Sequence, residues 1–521
     1  MNARASEAFR PEPQTTADPP WPRALAASLL GPVALWLAFP RIDWGIFAFI
    51  ALVPLFLLWS KSSWKRAFWW GWLSGFVLFM LLFNWMTHSL REFVGGWWLL
   101  GLILLGAIEG CNVALMAAAI SFICRGTFRA SAIFAVPAIW LLAETWRTRG
   151  SLGVPFGSLG VTAVHVPWLL PVATLGGVSL LTAALALANG ALAGIIGGTG
   201  NARRTGVAVL CLMALFIVAV DLAAAKVAVP APTIRVGIAQ GDIAQSDKWS
   251  PAVFDRTMQI YAGLTREAAA KGAKVVVWPE TAVASWPLQN PMLLAALQGI
   301  AQRSRVWVIT GMIDRPSQDV YYNAMLDLSP KGAVAGVYRK RMLVPFAEYL
   351  PFENLLNSFP LMNEVSRFAP GPGPRLLWAA GTWWGMLICY ESAFSSYARA
   401  TANAGADALV VATDDAWFGG TSGPDQHADF AVLEAVSTGR WIARGAATGI
   451  SMVVTPQGQI VDRLPVGVRG VLVDDVGHGV VTPYDRFGNL WLFGLALLAI
   501  VCGAVRPRMA TVGWRSRRGG R

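Results

Sequence analysis

The chain has 521 residues, of which 55% are hydrophobic and only 14% charged, with 25 tryptophans and a formal net charge of +12 at pH 7. An ordinary soluble protein carries about 25% charged residues, so the composition excludes a wholly soluble or disordered chain and places much of this one in a bilayer. The positive balance does not call for nucleic acid, because arginines that orient membrane spans beside anionic headgroups account for much of it.

In chain order, residues 1–23 are polar and proline-rich and run straight into an apolar stretch. They read as a cytoplasmic tail with no cleavable signal. Seven apolar runs then fill 24–226, near 24–39, 44–60, 67–88, 97–123, 130–146, 168–196 and 206–225, and an eighth spans 488–505. Each is close to the roughly 20 residues a spanning helix needs. With the N-terminus inside, the inner segments and the basic tail 506–521 hold sixteen Lys and Arg, against six in the short outer segments. That bias predicts both termini in the cytoplasm and the long insert outside. Glu109 is the one carboxylate well inside a span, and a bond to another helix is expected of it in preference to a headgroup contact.

The insert, 233–475, is of single-domain size. Apolar β-rich runs at 234–240, 274–278, 305–313, 383–389, 408–412 and 451–455 alternate with helical patterns at 251–271, 291–303 and 424–444. The rhythm predicts an α/β sheet arrangement with helices on both faces. Residues 346–373 are different, with nine large apolar side chains among prolines and little periodicity. They read either as core under the domain or as a lipid-facing access segment.

Three short segments carry the chemistry. The run Gly385–Ile388 delivers Cys389, the only cysteine of the insert, to the end of a strand, where a thiol is held rigidly yet can meet substrate. Cys111, Cys124, Cys211 and Cys502 lie in or beside apolar spans and read as packing residues. Glu280 follows Val275–Trp278 and Pro279, so apolar surroundings are expected to raise its pKa toward a useful base. Lys340 stands between Arg339 and Arg341. Such a cluster is usually a solvated face, but one member turned inward could hold an oxyanion and favour a thiolate. Four histidines and no His/Cys cluster predict no metal site.

The order Glu280, Lys340, Cys389, each at a strand terminus, resembles the nitrilase, or carbon–nitrogen hydrolase, superfamily over the whole insert. Eight spans with the insert before the last narrow the resemblance to the apolipoprotein N-acyltransferase family. Ile243–Trp249, Lys340–Pro351, Asp415–Gly419 and Gln426–His427 look like that family's motifs. The resemblance implies a nitrilase-like α-β-β-α sandwich inserted in an eight-helix transmembrane bundle, a multi-pass protein of a Gram-negative inner membrane with the domain in the periplasm. It also implies two-step acyl transfer: Cys389 attacks a phospholipid ester with Glu280 as base and Lys340 at the oxyanion, and the thioester is passed to the amine of a diacylglyceryl-cysteine apolipoprotein. Glu348 and Glu391 match supporting carboxylates, and Trp249, Tyr390 and Trp417 match aromatic positions of the site. No cofactor and no nucleic acid are implied, and a monomer is expected. Asp414 departs from the pattern, since the family usually has Asn there and a carboxylate cannot donate as an amide does. Met342 and Ala347 replace commoner His and Gly.

Two other readings use the same residues. A membrane-tethered amidase would employ Glu280, Lys340 and Cys389 with water as second nucleophile, but has no need of eight spans or of the apolar 346–373 segment. A transporter or lipid-binding scaffold with a decayed domain is opposed by the intact trio.

Overall fold

The computed structural model describes residues 18–228, 230–359, 362 and 365–505. Most of the N-terminal tail and the basic tail 506–521, with the arginines counted in them, lie outside the described residues.

The N-terminal half is helical: α1 (Trp21–Trp36), α2 (Val53–Lys61), α3 (Trp64–Leu82), α4 (Met86–Val94), α5 (Trp98–Cys124), α6 (Ala132–Arg147), α7 (Ala173–Gly197) and α8 (Gly200–Ala224). Met86–Cys124, Leu170–Gly197 and Gly200–Ala224 are long and apolar enough to cross a membrane, and Gly45–Lys61 and Leu490–Ala504 are shorter apolar helices. Small residues let helices meet closely here: a Cβ on Gly71 of α3 would stand 2.4 Å from Ala117 Cβ of α5. Buried polar groups are paired across elements. Glu144 of α6 accepts from Leu159 N–H (2.9 Å) and from Thr182 Oγ1 of α7 (2.6 Å). Arg147 Nε lies 3.9 Å from Glu109, the interhelical bond expected of that carboxylate.

The insert folds as two six-stranded sheets. The first has the order β12-β1-β2-β3-β4-β5 and the second β11-β10-β9-β8-β7-β6. Their strands are β1 (Ile234–Gln240), β2 (Val275–Val277), β3 (Trp307–Ser317), β4 (Val320–Leu328), β5 (Val334–Arg339), β6 (Leu376–Ala379), β7 (Thr382–Ile388), β8 (Ala408–Thr413), β9 (Trp441–Ala446), β10 (Ser451–Val454), β11 (Ile460–Leu464) and β12 (Gly470–Val476). Strands β1–β2–β3 and β7–β8–β9 are parallel, and the remaining pairs are antiparallel. Alternation sorts the side chains. Val236, Ile238, Val277, Trp384, Met386, Ile388 and Val410 meet in the layer between the sheets. Val276 and Val308 face outward onto α10 (Pro251–Ala270) and α11 (Pro291–Ser304), which follow the short α9 (Gln245–Lys248).

On the second sheet, past α12 (Glu353–Leu356), the covering layer is α13 (Ser395–Asn403) and α14 (Gly423–Thr438). Every residue of α14 except Asp425 is buried, because its other side packs on the bundle. Phe430, Leu433 and Val436 share one apolar core with Phe156, Leu170 and Val172. The chain leaves through α15 (Pro483–Phe487) and α16 (Leu490–Ala504), and Tyr484 lies against Gly177, where α7 kinks.

One sequence expectation is corrected. The helical pattern 424–444 ends at Thr438, because Gly439 takes φ +62° and the chain turns into β9. Helix and strand are both wholly buried there, so the hydrophobic pattern carries no break between them.

Candidate active site

Four sheet strands bring their C-terminal ends together. Glu280 follows β2, Lys340 follows β5, Cys389 follows β7 and Asp414 follows β8. A site at the carboxyl ends of parallel strands is where α/β sheets commonly place ligands. Gly311 of β3 lets the Glu280 turn approach, since a Cβ there would stand 2.3 Å from Pro279 O.

Glu280 is buried and fully engaged. Oε1 accepts from Lys340 Nζ (3.1 Å) and Asn323 Nδ2 (2.7 Å), and Oε2 accepts from Asp414 N–H (2.9 Å). Burial pushes its carboxyl up, but the Lys340 and Lys248 ammonium groups and Asn323 outweigh it and hold the group below the usual range. The expectation of a raised pKa is therefore reversed: apolar neighbours are present, but two cations sit closer. Lys340 is also buried and lies 2.9 Å from Glu348, which in turn accepts from Asn323 Nδ2 (2.8 Å) and Val344 N–H (2.8 Å). Burial alone would lower Lys340, yet Glu280 and Glu348 raise it above the ordinary ammonium value. Arg339 and Arg341 turn elsewhere, to Asp314 (2.8 Å) and to Tyr338 and Thr401 (3.0 and 2.9 Å). Lys340 is the inward member of the trio.

Cys389 adopts φ +48°, a left-handed conformation uncommon for a residue with a Cβ. Its carbonyl oxygen accepts from Ser392 Oγ (2.7 Å) and lies 3.2 Å from His427 Nε2. His427 Nδ1 is 2.8 Å from Asp415, which also binds the buried Arg444 (2.9 Å). Burial, followed by the Glu280 charge, pushes the Cys389 thiol well above its usual value, with Lys340 opposing. The resting site is thus a neutral thiol beside an ionised carboxylate and a charged ammonium.

Glu391 serves the frame. It accepts from Ile388 N–H (2.7 Å), Arg341 N–H (2.7 Å) and Tyr338 OH (2.8 Å), which ties the end of β7 to the segment after β5. Tyr390 OH donates to Gly153 O of the helical half (2.6 Å). The Trp417 ring stacks on Phe93 of α4 at 5.1 Å, and its carbonyl accepts from Ser89 Oγ (2.6 Å). Trp249 is half exposed at the end of α9; its neighbour Lys248 is the residue that reaches Glu280.

Sequence reasoning missed Asn323 and Arg444, and it gave no contact to Lys248, Asp415 or His427, which stand inside the motif segments. A lone Asn inside the apolar run 320–328 was the available signal for the first.

The 341–373 segment starts and ends at Lys340, for Gly371 N–H donates to Lys340 O (2.7 Å). Leu350 is buried, whereas Phe346, Phe352, Leu355 and Phe359 are exposed, so the described part is no simple core packing. A cavity of about 670 Å³ separates this segment from the 148–151 turn, with Arg149, Arg341, Tyr349 and Phe394 among its walls.

Comparison with known proteins gives two matching family models, carbon-nitrogen hydrolase over residues 235–486 and the apolipoprotein N-acyltransferase N-terminal domain over 31–191. The apolipoprotein N-acyltransferase of Geobacter metallireducens is 30% identical over 502 residues, covering 93% of this chain and 95% of its own. That of Azotobacter vinelandii is 32% identical over 518 residues, covering 94% and 96%. Among solved structures, an amidase from Nesterenkonia sp. aligns with 51% of this chain and 98% of its own, at 20% identity and a TM-score of 0.39.

Proposed function

We propose that this chain, which belongs to the apolipoprotein N-acyltransferase family, moves a fatty acyl chain from a phospholipid to the N-terminal amine of a diacylglyceryl-cysteine apolipoprotein. Glu280 takes the Cys389 proton as sulfur attacks the ester carbonyl, and Lys340 holds the oxyanion. Collapse returns the proton to the leaving alkoxide, which gives a lysophospholipid and a Cys389 thioester. The apolipoprotein amine then attacks the thioester and loses a proton to Glu280. The amide forms, and the departing sulfur is reprotonated. A thioester is reactive enough for an amine where an oxygen ester would be slow, which is why a thiol suits this transfer.

The observation that carries the reading is the buried Glu280–Lys340–Glu348 group at the end of the sandwich to which β7 delivers Cys389. The apolar runs support eight spans, seven within 24–226 and one at 488–505, in a bacterial inner membrane, and the basic-residue bias supports a 233–475 domain outside the cytoplasm. Glu348 and Glu391 position the amine and the thiol, and Tyr390, Trp249 and Trp417 line or flank the approach. The protein works as a monomer.

Exposure of the purified protein to a phospholipid should leave an acyl adduct on Cys389, read by mass spectrometry and absent in Cys389→Ala. Full activity of the alanine variant, or an adduct elsewhere, would remove the assignment.

A further inference from the structure

Beside the Glu280–Lys340–Cys389 group lies a second ion pair that the proposed mechanism does not use. Lys248 Nζ binds Asp414 Oδ2 and donates to the Glu280 carbonyl oxygen (3.1 Å), with both side chains almost wholly buried. Asp414 closes the loop, because its N–H donates to Glu280 Oε2 (2.9 Å) and its Oδ1 accepts from Ala416 N–H (3.2 Å). The pair thus joins α9, the turn after β2 and the end of β8, holding Glu280 at its main-chain oxygen through Lys248 and at its carboxylate through the Asp414 N–H.

We propose that Lys248 and Asp414 form a positioning pair for Glu280, in which the ammonium fixes the Glu280 main chain while the Asp414 carboxylate supplies the counter-charge that balances it. The proposal rests on Glu280 as the base. It also accounts for the departure at position 414: an Asn there offers Lys248 an oxygen but no charge, whereas Asp neutralises a second buried cation. The titratable groups facing Glu280 are Lys340 after β5, Glu348 in the following loop, Lys248 of α9, Asp414 after β8 and Cys389 after β7. Tyr261 of α10 faces Asp414 from behind. Two of these are cations, so removing either member of the pair changes the field at Glu280, with opposite sign.

The test is the pH dependence of kcat/KM for thioester formation on the full-length protein. Asp414→Asn keeps an acceptor for Lys248 but removes a negative charge, so the acid limb should move to lower pH by about half a unit or more. Lys248→Met leaves two carboxylates facing each other, so the limb should move to higher pH and the rate should fall about tenfold or more. The double variant should return the limb toward that of the parent and recover much of the rate. Equal or same-direction limbs in the single variants, or a double variant no better than Lys248→Met, would overturn the pair. If melting curves show Lys248→Met unfolded, the direction of the Asp414→Asn shift decides. Glu280→Gln separates the two readings: full rate in that variant removes the base itself, while an inactive Glu280→Gln with unmoved limbs in the others removes only the pair.

Discussion

Glu391→Gln should disable the site although Glu391 contacts none of the three reacting groups through its side chain. One oxygen, Oε1, accepts from Arg341 N–H (2.7 Å) and Met342 N–H (3.3 Å), and the other, Oε2, accepts from Ile388 N–H (2.7 Å). A glutamine has the same shape, but one acceptor becomes an NH2 group. Whichever way the amide turns, that NH2 confronts a main-chain N–H, of Arg341 or of Ile388. A buried donor left without an acceptor costs about 1–3 kcal/mol, and the lost charge on the remaining bonds brings the expected destabilisation to about 2–4 kcal/mol. The two donors immediately flank Lys340 and Cys389 in the chain, so the repulsion acts on the spacing of ammonium and thiol. Misplacement on the scale of 1 Å is enough for a loss of about 10²-fold in thioester formation. Single-turnover acylation with a labelled phospholipid and a thermal melt on the same sample measure both effects. An unchanged melting temperature with a rate within about twofold of the parent would refute the clamp, since no orientation of the amide satisfies both N–H groups.

Glu434, buried in α14, has its carboxyl pushed up to about 8 by burial. The folded state therefore keeps a proton that the unfolded chain has released, and stability should fall as pH rises from the ordinary carboxylate range to about 8 and then level off. Glu434→Gln keeps an acceptor for Ser395 Oγ and should flatten that slope in melts taken between about pH 5 and 9; equal slopes would mean that Glu434 is ionised in the fold. In the exposed segment after Lys340, changing Leu355, Leu356 and Phe359 to Ser should slow reaction with a long-chain phospholipid far more than with a short, water-soluble thioester donor. Loss toward both donors together with a lower melting temperature would assign the segment to the core.

Lys340 was legible because it stands between two arginines at the head of a motif segment, and Glu280 and Cys389 because each follows an apolar strand that stops at a polar residue. The same pattern located β1, β2, β3, β7, β8 and β10, whose side chains are mostly apolar throughout. The antiparallel strands toward the sheet edges were not legible: β5 and β11 present several exposed residues, and their short runs carry no strong period. The charge state of Glu280 was equally hidden. It depends on Lys248 and Lys340, which lie 32 and 60 residues away in sequence and meet only through the fold. Trp249 was singled out in a motif where the adjacent Lys248 makes the contact. A composition pattern cannot say which of two neighbours faces inward on a short helix.

The placement of α14 bears on the order in which the protein can be made. In a free-standing sandwich the outer helix layer meets water on one side, but here that side is apolar and already spoken for by Phe156, Leu170 and Val172. The helical half emerges first from the ribosome, so its surface is a ready template on which α14 can settle. His427 near the start of α14 then meets the Cys389 carbonyl. A severed 233–475 fragment would carry an uncovered greasy face and a poorly held thiol. On the proposed role of Cys389, its thiol would therefore be set in place only once the helical half lies beneath α14.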